Sequence, residues 1–215
     1  RNMSAKNNLP GQIKLSATLA AELNPSSPVI MAGNPAEQIA LASKLGYDGI
    51  ELHWADPAQI PLREIASACK ENQMELSAFA TGRAYVQEGL SLIHEESSIR
   101  TAAIKRLKEF VDAASPYEAT VIIGCIRGNL ASEAARPSSL ERLAASTRII
   151  VEYAETRNVG IVFEAINRFE NNYLNTAQET SAFIKENNLP NTKILLDTFH
   201  MNIEDADMEK SILDC

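Results

Sequence analysis

The chain has 215 residues, of which 45% are hydrophobic and 22% charged, a composition typical of a globular protein and not of a disordered or fibrous one. Its 20 Lys and Arg against 28 Asp and Glu give a formal net charge of −8, which argues against a nucleic-acid partner. No apolar run approaches the roughly 18 residues of a membrane span, so no membrane partner is expected. The three cysteines are widely spaced, which predicts no disulfide framework and a cytoplasmic location.

Short runs of β-branched and apolar residues alternate with longer segments of helical periodicity. This alternation predicts repeated βα units on a parallel sheet. The later strand candidates are apolar at consecutive positions, as expected for strands that are buried on both faces. Six strands are predicted, at Ile13–Ala17, Gly49–His53, Glu75–Phe79, Thr120–Ile126, Gly160–Ala165 and Lys193–Asp197.

The segments between the strands carry helix start and stop signals. Asn34 followed by Pro35 predicts an N-cap and a first helical residue, and Gly46 predicts the end of that helix. Thr176 with Glu179 predicts a capping box at the start of a later helix. The inward face of the first helix is predicted to contain Ile39, Ala42 and Leu45, and that of a central helix Ile104, Leu107 and Val111.

The spacing of the strands indicates the architecture. Their starts advance from Ile13 to Lys193 in five steps of about 36 residues, so eight units would need roughly 280 residues, within the range of a (β/α)8 barrel. We therefore predict an α/β fold, a TIM barrel of which about six units are present, with residues 1–215 in a single domain that lacks the last two units. A six-unit open sheet is the alternative, and no linker or low-complexity tract suggests a second domain.

Polar side chains close several of the predicted strands, and in parallel βα folds these C-terminal ends carry the functional groups. Glu164 ends the fifth strand and Asp197 the sixth. Burying two such acids is costly without compensation, which a shared divalent metal would supply. The alternative is that they cap neighbouring helices or pair with Arg127 and Arg168.

The three histidines, His53, His94 and His200, are the available imidazole ligands. His200 follows Asp197 by three residues just outside a buried strand, which makes it a candidate site residue. His94 lies among polar residues in a predicted loop, where a solvated surface position is favoured. His53 ends the second predicted strand and is equally consistent with a site role and a structural one. Arg127 lies beside a glycine, where it could contact an anionic substrate or form a salt bridge.

Three segments in the second half of the chain resemble a known family. They are 163–170 (FEAINRFE), 173–176 (YLNT) and 196–204 (LDTFHMNIE). They are similar to the xylose isomerase-like barrel superfamily of sugar isomerases and epimerases, and within it most similar to the ketose 3-epimerases. Residues 80–92 (ATGRAYVQEGLSL) resemble the 5-keto-L-gluconate epimerase branch.

The resemblance implies a divalent-metal-dependent epimerase of a ketose or keto-sugar acid that acts through an enediolate. In that family pattern Glu164 and Asp197 match two metal ligands, Glu164 also matches a catalytic base, and His200 and Glu170 match substrate contacts. The family's two other ligands, a histidine and a glutamate on the last two strands, correspond to positions beyond Cys215. His53 and Arg127 are added as substrate-binding candidates from their positions at strand ends. Carboxylate ligands suit Mn²⁺ or Mg²⁺, while added imidazole would admit Co²⁺ or Zn²⁺.

Two other functions stay open at this point. An aldose-ketose isomerase would use the same groups and return the proton to the adjacent carbon, and a noncatalytic truncated protein would only bind the sugar. An endonuclease of the same superfamily is disfavoured by the few histidines and the net charge of −8. The expected partner is a small sugar or sugar acid, and the formation of a homo-oligomer is left open.

Overall fold

The structure, a computed structural model, describes residues 13–23 and 28–215. Its strands are β1 (Ser16–Ala20), β2 (Met31–Ala32), β3 (Gly49–His53), β4 (Glu75–Ala80), β5 (Thr120–Ile123), β6 (Ile161–Glu164) and β7 (Thr192–Leu195). They form one sheet in the order β2-β1-β3-β4-β5-β6-β7, and every neighbouring pair is parallel. This confirms the predicted α/β class.

Helices follow the strands along the chain. They are α1 (Pro35–Leu45), α2 (Leu62–Glu71), α3 (Gly82–Glu88), α4 (Ser97–Ala114), α5 (Arg136–Glu155), α6 (Ala177–Glu186), α7 (Thr198–Glu204) and α8 (Met208–Asp214). In the part of the chain that the structure describes, no helix combines the length and the apolar character needed to cross a membrane.

The helix signals read from the sequence are mostly present. The Asn34 side chain accepts a hydrogen bond from the Glu37 N–H, and Gly46 ends α1 with a positive φ of 96°. Thr176 and Glu179 form the capping box of α6. The predicted inward face of α1 is wrong at its last position, because Leu45 is 65% exposed at the end of the helix, beyond the part that packs on the sheet.

Several predicted strand bounds differ from the observed ones. The first strand is Ser16–Ala20 and not Ile13–Ala17, because its pairing with β3 places Ser16 opposite Gly49 and leaves Ile13 exposed. The fourth predicted strand, expected to reach Ile126, ends at Ile123. Gly124 there leaves the extended conformation, with φ −104° and ψ −119°, and a 3₁₀ turn follows over Cys125–Arg127.

The core lies between the sheet and the inner faces of the helices. Strand residues such as Ile50, Phe79 and Phe163 have no exposed surface, and Leu107 and Phe110 of α4 pack with them in one cluster. Since burying an aliphatic or aromatic side chain contributes roughly 1.5–3 kcal/mol, this cluster holds the strands in place. It thereby sets the positions of the side chains that follow the C-terminal strand ends.

Candidate functional site

The C-terminal ends of β6 and β7 bring three ligand-type side chains together. Glu164 is the last residue of β6, Asp197 follows β7 as the N-cap of α7, and His200 lies in the first turn of that helix. One oxygen or nitrogen atom of each lies within 4.8 Å of the others. His200 Nε2 is 3.7 Å from Glu164 Oε1 and 3.9 Å from Asp197 Oδ2. The two strand-end acids therefore lie next to an imidazole at the C-terminal edge of the sheet, and the space between these three side chains is called the cleft below.

The two carboxylate oxygens of Asp197 have different surroundings. Oδ1 accepts a hydrogen bond of 2.7 Å from the Phe199 N–H and caps α7. Oδ2 faces His200 Nε2. The helix-capping role considered from the sequence is thus real, and it leaves one oxygen directed toward the cleft.

The electrostatic surroundings of Glu164 are unusual for a glutamate. Its burial, followed by repulsion from Asp197 and Glu51, raises the pKa of its carboxyl group from 4.5 to about 7, against a lowering effect of Arg127. A buried acid next to other acids is stabilised in its charged form by a nearby cation. The carboxylate oxygens of Glu164 and Asp197, which lie within 4.8 Å of one another, are of the type that suits a divalent metal ion.

Arg127 lies beneath the cleft instead of at its surface. Its side chain is fully buried, so the structure does not offer the guanidinium to a substrate in the way the sequence suggested. Nη1 donates to the backbone carbonyl of Glu164 at 2.8 Å. Nη2 lies within 3.3 Å of three oxygen acceptors, on Asn171, Tyr173 and Leu174. Arg127 thus ties the end of β6 to the loop that follows it.

Gly124 makes room for the carboxylate of Glu164. A Cβ atom at this position would lie 2.6 Å from Glu164 Oε2, closer than real Cβ contacts allow. The same residue ends β5, because its backbone leaves the extended conformation. A glycine at this position therefore shapes both the end of the strand and the wall of the cleft.

Glu170 and Asn167 lie next to His200. Asn167 Nδ2 is 2.9 Å from Glu170 Oε1 and 2.7 Å from His200 Nδ1. Glu170 Oε1 itself is 4.0 Å from His200 Nδ1, and its side chain is about half exposed. Glu170, predicted as a substrate contact, thus lies at the rim of the cleft with a surface open to solvent.

His53, the remaining predicted substrate contact, ends β3. Its Nε2 atom is 2.7 Å from Glu51 Oε1 on the same strand. The two residues are separated by two positions and so lie on the same face of the sheet. Glu51 is also one of the acids that raise the pKa of Glu164, so its charge acts on that carboxyl group.

Arg168, considered from the sequence as a partner of the strand-end acids, and His94, expected at the solvated surface and found half-buried, both lie elsewhere. Arg168 forms an ion pair of 2.7 Å with Glu204, not with either strand-end acid. His94 lies in the loop before α4, where its Nδ1 accepts from the Glu96 N–H. Neither residue belongs to the cluster of Glu164, Asp197 and His200.

Sequence reasoning did not assign site roles to Glu51, Gly124 or Asn167. The alternation of Glu51 and His53 on one strand was a usable signal for a shared face. Asn167 lies inside the conspicuous segment 163–170, but its contact with His200 depends on how the loop after β6 folds back. Nothing in the local sequence indicates that a Cβ at position 124 would meet Glu164.

A parallel sheet of βα units with acids gathered at the C-terminal strand ends defines the class of barrel proteins that place their sites there. The sequence profile of the xylose isomerase-like TIM barrel family matches residues 39–214. The chain belongs to this family, and the described residues form part of such a barrel.

Two curated relatives of the chain are ketose epimerases. The chain is 32% identical over 189 residues to an L-ribulose 3-epimerase of Methylomonas sp. (strain DH-1), a match that covers 85% of the chain and 63% of the relative. It is 30% identical to a ketose 3-epimerase of Arthrobacter globiformis over 79% of the chain and 58% of the relative. The chain thus spans about 60% of the length of these curated relatives.

A solved structure with a similar fold is also that of a ketose epimerase. The crystal structure of a D-allulose 3-epimerase from Methylomonas sp. in complex with D-allulose is similar to the chain with a TM-score of 0.78 and 25% sequence identity. The superposition covers 95% of this chain and 69% of that one. The resemblance to the ketose 3-epimerases noted from the sequence segments is confirmed at the level of the family.

Proposed function

We propose that the chain functions in a divalent-metal-dependent epimerase that acts on a ketose or a keto-sugar acid. The observation that carries the proposal is the position of Glu164, a half-buried acid with a pKa raised to about 7 next to Asp197 and His200. The names of the ketose 3-epimerase relatives support the substrate class. They are also the reason to prefer an epimerase over an isomerase.

Glu164 and Asp197 are the residues that would hold the metal. Their oxygen atoms are ligands that Mn²⁺ and Mg²⁺ prefer, so we propose one of these ions, Mn²⁺ first. When bound, the ion would stabilise the negative charge that develops on the substrate oxygens during proton removal.

Glu164 is proposed as a base. It removes the proton from the carbon next to the carbonyl group, so that the C–H electron pair becomes part of an enediolate. Without metal, burial and the neighbouring acids raise its pKa to about 7, and a bound cation would lower the pKa again and favour the charged form that accepts a proton. Inversion of the carbon also requires an acid/base group on its opposite face, which the family resemblance assigns to the eighth strand.

The remaining proposals concern the surroundings of the reaction. His200, Glu170 and His53 are proposed as substrate contacts, while Arg127 supports the end of β6 from below. We further propose that the chain contributes to a single barrel domain and that it resides in the cytoplasm, where its three unpaired cysteines would stay reduced.

The test uses Glu164→Gln in the full-length protein with added Mn²⁺. Because an amide cannot accept the substrate proton, exchange of the C3 hydrogen of a ketose with deuterated water should fall by at least about 100-fold, as loss of a general base implies. Mn²⁺ binding, measured by calorimetry, should weaken but persist. Glu186→Gln, at an exposed glutamate of α6, is the matched control and should retain full exchange.

Each outcome of this test has a distinct meaning. Near-normal exchange in Glu164→Gln with metal bound would remove Glu164 as the base. Deuterium found at C2 of an aldose product would favour the isomerase instead. Sugar binding without any exchange by the unmodified protein would support the noncatalytic alternative.

A further inference from the structure

The orientation of the Asn167 side-chain amide is determined by its neighbours. The residue is 1% exposed, between the end of β6 and α7. Its Oδ1 atom is 2.9 Å from the Phe169 backbone nitrogen, which can only donate a hydrogen bond. The oxygen of the amide must therefore face Phe169, and the NH₂ group must face Glu170 and His200.

The two hydrogens of this NH₂ group have one acceptor each. The first goes to Glu170 Oε1 at 2.9 Å, and the second points to His200 Nδ1 at 2.7 Å. A hydrogen bond donated to Nδ1 requires a lone pair on that nitrogen. The neutral imidazole that has its lone pair on Nδ1 carries its proton on Nε2.

We propose that Asn167 is a positioning residue that holds His200 in the tautomer with the proton on Nε2. In this state His200 presents a hydrogen-bond donor to the cleft and has no lone pair with which Nε2 could bind a metal. The cation would then be left to the oxygens of Glu164 and Asp197, although His200 Nε2 lies close enough to be counted with them.

The location of Glu170 explains why an amide is needed here. A carboxylate in direct contact with Nδ1 would draw the imidazole proton to Nδ1, which would turn Nε2 into a lone-pair ligand. Glu170 Oε1 stays 4.0 Å from Nδ1, and the Asn167 NH₂ group lies between them as donor to both. Besides these groups, the Phe199 ring packs edge-on against His200, with 5.3 Å between the ring centroids, and offers no competing polar atom.

The part of the inference that concerns substrate rests on the proposed function. With the proton on Nε2, His200 would donate to an oxygen atom of the bound sugar. The tautomer itself follows from the hydrogen bonds alone and can be measured without any activity.

The direct test is nitrogen-15 NMR of the histidine rings at about pH 8, above the ordinary histidine pKa of about 6.5. The chain has only three histidines, so His53→Gln and His94→Gln assign the remaining signals to His200. His200 should show an unprotonated Nδ1 and a protonated Nε2. A proton on Nδ1 in the unmodified protein would overturn the inference.

A double variant tests whether Asn167 sets the tautomer of His200. Asn167→Asp combined with Glu170→Gln keeps the shapes and the number of hydrogen bonds but replaces the donor to His200 by an acceptor. The proton should move to Nδ1, and Zn²⁺ affinity measured by calorimetry should rise by about tenfold or more as Nε2 becomes a ligand. Asn202→Asp, which makes the same Asn-to-Asp exchange at an exposed position of α7, is the control and should leave the tautomer unchanged.

The outcomes separate the tautomer from the proposed function. If the double variant keeps the proton on Nε2, Asn167 does not set the tautomer and the inference is wrong. If the tautomer and its reversal are found but no ketose exchanges its C3 hydrogen, the inference stands and the proposed epimerase function fails. If exchange occurs while the unmodified His200 carries its proton on Nδ1, the function stands and the inference fails.

Discussion

At the scale of single residues, the site depends on what surrounds Glu164. Asp197 and Glu51 add negative charge next to the half-buried carboxyl group of Glu164, and Arg127 only partly offsets them. A raised pKa means that the folded protein binds a proton more tightly than the unfolded chain does. This residue therefore links the stability of the protein to both pH and metal.

The stability of the metal-free protein should fall as the pH rises from 4.5 to about 7. In this window the folded state still holds the Glu164 proton that the unfolded chain has released, so deprotonation lowers the free energy of unfolding. At 1.36 kcal/mol per pKa unit, and allowing for partial solvent access, the loss is about 1–3 kcal/mol. Urea unfolding in EDTA at pH 5 and pH 8 measures it, and Glu164→Gln should show a smaller decrease. An equal decrease in both proteins would assign the effect to other groups.

Gly124→Ala should disturb the site without unfolding the protein. The new methyl group would lie 2.6 Å from Glu164 Oε2, so the carboxylate must move and Mn²⁺ affinity should fall by about tenfold or more. Calorimetry with Mn²⁺ measures the change. The matched control is Gly82→Ala, whose methyl group meets Cys125 at an ordinary 3.6 Å. Equal affinities in the two variants would show that the glycine is not needed to make room for the carboxylate.

At the scale of elements, the loop after β6 is held to the sheet by a buried charge. Arg127 donates to the Glu164 carbonyl and to the acceptors of the following loop, and its Nε atom is one of the buried polar atoms without a partner in the described residues. Its burial lowers the pKa of its guanidinium. Burying the charged guanidinium costs free energy when the protein folds. Removing it afterwards costs more, because its hydrogen-bond acceptors are then left buried and unpaired.

Arg127→Met should destabilise the protein by about 3–5 kcal/mol, since the apolar stem is kept while the hydrogen bonds to the backbone carbonyls are lost. Urea unfolding measures the loss. Arg136→Met is the comparison, because Arg136 forms an exposed ion pair with Glu133 that contributes at most about 1 kcal/mol. A loss in Arg127→Met no larger than that in Arg136→Met would show that the buried guanidinium does not hold the loop.

At the scale of the whole molecule, the strands of the sheet differ in how deeply they are buried and in how many neighbours they pair with. β3 and β4 have a parallel neighbour on both sides, and their core residues Ile50 and Phe79 have no exposed surface. In the described part of the chain, β7 pairs with β6 alone, and its four residues are half-buried or exposed. Opening of β7 therefore requires fewer contacts to be broken.

Amide hydrogen exchange should follow this difference. Peptides that cover Gly49–His53 and Glu75–Ala80 should exchange more slowly than a peptide that covers Thr192–Leu195. Mass spectrometry of deuterium uptake in the metal-free protein measures the order. Mn²⁺ should slow exchange in β7 more than in β3, because Asp197 lies two residues after the end of β7. Equal exchange rates of the β3 and β7 peptides without metal would show that β7 does not open more easily than β3.

Much of the architecture follows from local sequence. Gly49–His53 is a strand as predicted, and the N-cap at Asn34 and the capping box at Thr176 are both present. These features depend on neighbouring residues, namely on the pattern of apolar side chains and on side chains that bond to nearby backbone groups. The shifted first strand and the early end of β5 differ because strand pairing and the conformation of Gly124 depend on the rest of the sheet.

The sequence by itself determined the βα alternation and the acids at the strand ends, because apolar runs, helix caps and strand termini are local. Only the tertiary structure decided that Arg127 lies beneath the cleft and that Gly124 faces Glu164. It also decided that Asn167 stands between Glu170 and His200. These contacts join residues from separate loops, and the packing of the sheet sets their distances and the burial that raises the pKa of Glu164.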